Sequence, residues 1–426
     1  MSERWTTLSF TAVCVLLAQA QRPLASAVDS ARAVHPIHAA PWAVDTNKHH
    51  HLELTATGLF DSNSLRNELV LGLWRGETLD RATRQRSGGI AGNRNRAGYQ
   101  LEGMLSYAWG TRVFGHPRMR PRLSVAFREL AGLRYADDLY RTTFFGNADL
   151  QDQVAELAPT DYERISYQTF GFGIEDRTTR SFLILSIVNG RSFEAARIDR
   201  ADLFTATDGR YLRLDLDGDY SRSDTAATNG WATSGIGAAM SGEFRKPFNL
   251  IGQRGWFTLG IQDLGAVAWN DGSLRTVKDS TILYEGIQVD DVLDLDGVLI
   301  GGEELQDSLG LGYKREAILR PLPALVYLRG SLAAPGNMIY TAELDLRYLP
   351  GYAVRTTLMA QHIFHRLNRA GVEVAYGGFG GWRVGASIER WLCSGLRLGL
   401  RTTNMIGLLS ASARGGSAQL SLEYVW

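Results

Sequence analysis

The chain has 426 residues, and its 45 lysines and arginines balance 45 aspartates and glutamates. Zero net charge removes the broad basic field of a generic nucleic-acid binder, and 45% hydrophobic with 21% charged residues excludes intrinsic disorder. Forty-six glycines, ten tryptophans and sixteen tyrosines against eleven prolines suit a chain of many strands better than one of many helices.

The first element reads as an export signal. Arg4 precedes an apolar run from Leu8 to Leu17, and Ala18-Gln19-Ala20 gives a small-x-small cleavage pattern. The spacing predicts a signal peptide over 1–20, with an alternative end at 27 after Ala25-Ser26-Ala27, and a polar tail over 21–50. A bilayer-spanning helix needs about twenty apolar residues, and this run is shorter. Cleavage would remove Cys14 and leave Cys393 alone, so the mature chain would have no internal disulfide and no cysteine metal site. His35, His38, His49, His50 and His51 crowd this region. In a strand His50 would oppose His49 and His51, which is poor geometry for a metal held at three points.

Beyond the tail the chain reads in steps of two. Tyr99, Leu101, Leu105, Tyr107 and Trp109 alternate with Gln100, Glu102 and Ser106. Leu212, Leu214, Leu216 and Tyr220 oppose Arg213, Asp215, Asp217 and Asp219. Ile236, Ala238, Met240 and Phe244 oppose Ser241 and Glu243. Tyr340, Ala342, Leu344, Leu346 and Tyr348 oppose Thr341, Glu343, Asp345 and Arg347. Leu396, Leu398 and Leu400 oppose Arg397 and Arg401, and the last segment sets Leu420, Leu422, Tyr424 and Trp426 against Gln419, Ser421 and Glu423. Stripes of about ten residues, charged on one face and ending in Tyr or Trp, are the pattern of a bilayer-spanning strand between aromatic girdles. Soluble strands average about 5–6 residues, and a soluble β fold has no need of aromatics at its strand ends.

The expectation is an all-β protein: a transmembrane antiparallel β-barrel over 51–426, of about fourteen strands (twelve to sixteen), with long loop inserts. Candidate strands fall at 51–60, 66–76, 97–110, 120–131, 162–175, 180–190, 197–206, 210–222, 233–246 and 255–270. A second series falls at 324–333, 338–349, 353–365, 370–377, 382–391, 395–404 and 417–426. Residues 77–96, rich in arginine, read as a mobile loop; 137–160 has the composition for a short helix inside or beside the barrel. Residues 271–322 are the longest insert, with the acidic-apolar stretch Val289–Asp296 and Gly301-Gly302. An ordered insert of that length is usually functional.

Several short motifs recur in a familiar order: Thr143-Phe144-Phe145-Gly146-Asn147, Gly171-Phe172-Gly173, and Ile261-Gln262-Asp263-Leu264-Gly265 closing at Trp269. Tyr284-Glu285-Gly286-Ile287 before the acidic-apolar stretch, and Leu322-Pro323 leading into a strand, follow them. In these motifs the chain resembles an uncharacterised Bacteroidota outer-membrane β-barrel family, a domain of unknown function, from about residue 50 to Trp426. The resemblance implies a barrel in the outer membrane and brings no catalytic residue and no substrate.

The residues themselves assemble no reaction centre. Asp215, Asp217 and Asp219 imitate the start of a calcium loop, but its twelfth position is Ala226 where a bidentate glutamate belongs. His362 and His365 sit near a strand end and His116 in a loop, with no Gly-x-Ser-x-Gly elbow, Walker motif or zinc helix. The expectation is therefore no enzyme, no cofactor and no metal. Charges expected to face the interior are Glu102, Arg213, Asp215, Asp217, Asp219, Glu243, Glu343, Asp345, Arg347, Glu389, Arg397 and Arg401. They would line either a water channel or a closed, mutually paired interior. Tyr424 and Trp426 form the expected assembly signal, read by the barrel-assembly machinery.

The other expected partners are outer-membrane lipid and envelope proteins, with no nucleic acid. Solute passage or binding at the envelope is the first functional expectation. A non-conducting subunit of a secretion or motility assembly is the second, and a secreted soluble β protein that binds polysaccharide is the third.

Overall fold

The computed structural model describes residues 50–88, 94–113, 115–207, 210–224, 233–284, 312–364, 368–393 and 395–426. The signal peptide, most of the tail and the Val289–Asp296 stretch lie outside the described residues, as do His35, His38, His49, His365 and Ala226. The strands are β1 (His51–Ser62), β2 (Asn95–Ala108), β3 (Met119–Tyr135), β4 (Val154–Glu156), β5 (Thr160–Asp176), β6 (Phe182–Thr205) and β7 (Leu212–Arg222). Next come β8 (Gly235–Leu250), β9 (Gln253–Trp269), β10 (Leu274–Tyr284), β11 (Lys314–Arg315) and β12 (Ile318–Pro321). The last are β13 (Leu325–Ala334), β14 (Met338–Arg347), β15 (Ala353–Phe364), β16 (Asn368–Gly378), β17 (Arg383–Cys393), β18 (Leu396–Thr402) and β19 (Gly415–Val425).

Fourteen of them pair antiparallel, neighbour to neighbour, into a closed ring: β1, β2, β3, β5, β6, β8, β9 and then β13 to β19. The ring shuts where β19 pairs with β1, from His51↔Val425 to Asp61↔Gly415. Closure leaves no free edge, which is how a sheet satisfies its backbone in lipid.

The structure corrects several boundaries. Residues 180–190 and 197–206 are one strand, β6, whose first half pairs with β8 and whose second half pairs with β7. The 210–222 segment is a strand but stands outside the wall: β7 pairs with β6 and β10 as an extension beyond the ring. The 271–322 insert is partly strand too, since β10, β11 and β12 fall within it.

Residues 66–76 form a helix, α1 (Asn67–Arg75), ended by Gly76 with φ +68°. A short run of leucines fits either period, and the glycine that caps a helix in the left-handed region is the signal that decided it. Within 77–96 a further helix forms, α2 (Arg81–Arg86), capped by Asp80, whose carboxylate accepts from the Thr83 N–H at 2.7 Å. The helix expected within 137–160 is α3 (Asp137–Phe145). Leu69 of α1 packs with Tyr135 and Tyr140, joined by Leu79, Phe144 and Phe145. Burial pushes the Tyr140 phenol up to about 12, and its hydroxyl donates to the Arg84 carbonyl at 2.7 Å. A last short helix, α4 (Met405–Leu409), bridges β18 and β19.

Side chains alternate across the wall as the period-two pattern requires. Phe172, Leu185, Ile187, Ile236, Leu358 and Val372 are all more than half exposed on the outer face. So large an apolar belt around a closed barrel is the surface that lipid covers. Tyr107, Trp109, Tyr424 and Trp426 stack at one end of it, and Tyr376 packs at a tilt against Trp382 at the other.

The two ends differ. At the end holding His51 and Val425 the turns are short, as at 177–181, 251–252 and 335–337. The far end carries the long connections 63–94, 136–159 and 403–414.

Candidate functional site: a filled interior and a rim pocket

Charged residues on the inner face pair with one another. Near the end holding His51, the fully buried Glu175 accepts from Arg120 at 2.5 Å, Arg122 at 2.6 Å and Arg180 at 2.8 Å. Arg122 reaches Glu53 at 3.1 Å and Arg180 reaches Glu423 at 3.1 Å. Glu423 also takes His51 at 2.9 Å and Arg397, which bonds Glu389 at 3.1 Å. This ionic layer ties β1, β3, β5, β17, β18 and β19 together.

A second set lies further along the axis. Glu102 accepts from Arg128 at 3.2 Å and from Arg347 at 2.7 Å. Arg128 also pairs with Asp263 at 3.0 Å, whose carboxylate accepts from the Tyr167 hydroxyl at 2.7 Å. Across the barrel Arg329 pairs with Glu343 at 2.5 Å, Arg355 with Asp345 at 2.7 Å and Arg401 with Glu373 at 2.7 Å.

Above the charges the interior is apolar. Leu130, Ile165, Val188, Val267 and Trp269 are essentially fully buried, and Trp269 lies 4.7 Å from Phe193, ring to ring. Leu349 and Phe379 join this cluster from the β14–β15 and β16–β17 turns, which fold across the lumen to the opposite wall. There the backbone of β2 and β3 needs glycine. A Cβ on Gly98 would stand 2.3 Å from the Phe379 ring, and one on Gly132 would stand 2.4 Å from the Pro350 carbonyl oxygen. Arg96 makes the same crossing, donating to the carbonyls of Phe379 at 3.1 Å and Gly380 at 2.7 Å. Gly98→Ala should therefore push Phe379 out of the lumen and cost about 1–3 kcal/mol of stability, read as earlier unfolding in urea.

The expected interior residues divide into two groups. Glu102, Glu243, Glu343, Asp345, Arg347, Glu389, Arg397 and Arg401 all stand in ion pairs of the interior. Arg213, Asp215, Asp217 and Asp219 do not line the wall, because β7 belongs to the extension. There Asp219 takes Arg275 at 2.5 Å, and Asp215 takes the Thr281 hydroxyl at 2.5 Å and Arg213 at 3.5 Å. Among the described residues no three His, Cys, Asp or Glu side chains converge to hold a metal.

His50 and His51 do separate to opposite faces. His50 stacks on Trp426 at 5.2 Å, while His51 joins Glu423. His116 lies in the β2–β3 connection, and His362 on β15 pairs with Met338 of β14.

Glu175, Arg120, Arg128, Asp263 and Arg329 were missed from sequence. Alternation tells which face a residue takes and carries no sign of its partner: Arg120 and Glu175 are 55 positions apart.

One cavity opens at the far end, a volume of about 840 Å³ lined by Arg66, Arg96, Arg383 and Arg414 with Tyr376 and Trp382. Among the described residues no carboxylate lines it.

No family model matches this chain and no curated protein matches it. Solved barrels do superpose on it loosely. The toluene transporter TbuX of Ralstonia pickettii is 9% identical, covers 89% of this chain and 90% of its own, and gives a TM-score of 0.37. A Pseudomonas aeruginosa FadL homologue is 11% identical over 88% of this chain and 90% of its own, with a TM-score of 0.36. The translocator domain of the autotransporter NalP from Neisseria meningitidis is 8% identical over 88% of both chains, at 0.32. At such scores these likenesses add nothing to the barrel already read from strand pairing.

Proposed function

We propose that this chain is exported by its N-terminal signal to the outer membrane, where it forms a barrel that binds a solute and keeps its lumen shut at rest. The observation that carries the reading is the crossing of the lumen by Leu349, Phe379 and Arg96, beneath which the apolar cluster and the ion pairs fill the interior. The apolar belt, the aromatic ends and the short turns beside His51 and Val425 support an outer-membrane barrel with that end in the periplasm and the long connections outside.

Planar-bilayer recording of the refolded mature chain tests it. The wild type should pass no steady current, and Trp269→Gly combined with Phe379→Gly, which empties the apolar layer, should produce discrete current steps. Steady large steps from the wild type would overturn the closed reading. A second protein that co-purifies in equal amount would favour the structural-subunit reading over solute binding.

A further inference from the structure

We propose that the rim cavity binds a phosphorylated lipid drawn from the leaflet around it. This rests on the orientation proposed above, which sets the far end in the outer leaflet.

The wall is incomplete at this point. Pairing of β18 with β17 ends at Ala386↔Thr402 and its pairing with β19 ends at Arg401↔Gln419. Yet β19 continues along β1 to Gly415↔Asp61, and β17 continues to Arg383. Above β18 the space between β17 and β19 is bridged by α4 and the residues that follow it. The cavity opens there and takes lining from both faces of the sheet: Arg96 and Arg383 from the inner set, Val374 and Val384 from the outer set. Lipid chains lying on the belt therefore reach it without leaving the bilayer. Trp382, 77% exposed and 5.0 Å from Tyr376 ring to ring, marks the height as interfacial, where headgroups sit.

The charge in the cavity calls for an anion. Arg96 is committed to two backbone carbonyls, and Arg383 to Asp61 and the Gly377 carbonyl. Arg66 and Arg414 make no ion pair among the described residues, and the buried Nε of Arg66 has no hydrogen-bond partner there. A half-buried guanidinium such as that of Arg66, held without a counter-charge, is costly, and a phosphate satisfies its fork together with that of the exposed Arg414. A free phosphate would leave Val374, Val384 and Ile406 without an occupant. A ligand with a phosphate head and acyl chains uses both halves of the lining.

The test is native mass spectrometry of the folded mature barrel in detergent micelles, titrated with bis-phosphorylated, hexa-acylated lipid A. Parallel titrations use inorganic phosphate and an uncharged diacylglycerol. The expected result is retention of one lipid A per barrel, with retention weakened at least about tenfold in the Arg66→Gln, Arg414→Gln double variant. Phosphate and diacylglycerol should not be retained. Equal retention of lipid A by wild type and double variant would overturn the proposal. So would retention of phosphate alone, which would make this a soluble-anion site, or equal retention of diacylglycerol, which would make it a merely apolar groove. Heat-shifted migration on a gel checks that each variant is folded; should Arg66→Gln fail, the exposed Arg414→Gln alone decides. Binding in micelles is independent of how the barrel faces and of whether it conducts, so this result and the current recording succeed or fail separately.

Discussion

Glu175→Gln will destabilise the folded barrel by about 3–5 kcal/mol, because it leaves Arg120, Arg122 and Arg180 buried around an uncharged amide. Glu175 has no solvent exposure, and each of the three guanidiniums is within 2.8 Å of its carboxylate. Neither water nor salt can take over the missing charge at that depth, so almost none of the loss is recovered. Urea unfolding in micelles measures it, with Glu77→Gln as the comparison. Glu77 and its partner Arg75 are both 57% exposed and 3.6 Å apart, and such a surface pair contributes about 0–1 kcal/mol. A loss for Glu175→Gln no larger than that for Glu77→Gln would mean that the ionic layer is not a buried network.

The second large effect lies on the outer face. Ile187→Arg should cost about 2–4 kcal/mol for folding into vesicles, the range for a cation near the middle of a lipid-facing strand. Ile187 is 67% exposed at the centre of the β6–β8 pairing, opposite Phe170 of β5. Leu214→Arg has the same sequence pattern around it and should cost under about 1 kcal/mol, since β7 lies beyond the wall. Folding yield against vesicle thickness reads both. Equal losses would place the extension within the lipid belt and contradict the separation of β7 from the ring.

Period two was a good guide to which side of a strand a residue takes and a poor guide to which strands share a wall. Seventeen candidate segments became fourteen wall strands: one was the helix α1, two were halves of β6, and one was β7 in the extension. The first error came from leucines spaced alike for strand and helix, and the second from a β-bulge where Tyr167 pairs with Gly190 and Ser166 with Ser192. The third could not be read locally, because β7 alternates as well as any wall strand and only its partners set it apart. The inner charges were legible as a face, while their pairing was not, since every partner lies on another strand. The cavity at the rim was invisible for the same reason: Arg66, Arg96, Arg383 and Arg414 come from four separate stretches of chain. Of the short motifs that stand out in the sequence, Tyr284–Ile287 runs beyond the described residues.

The seam between β1 and β19 also sets the order of events when the barrel is made. His51 of β1 pairs with Val425 of β19, the last wall strand in chain order, so the ring cannot be completed until β19 has been delivered. Loop-closure entropy over so long a separation makes this the slow step, as for any topology dominated by non-local pairing. Until then both β1 and β18 offer unpaired edges open to wrong partners. A nascent chain of this kind is therefore most vulnerable to aggregation in the interval before its last eleven-residue strand arrives.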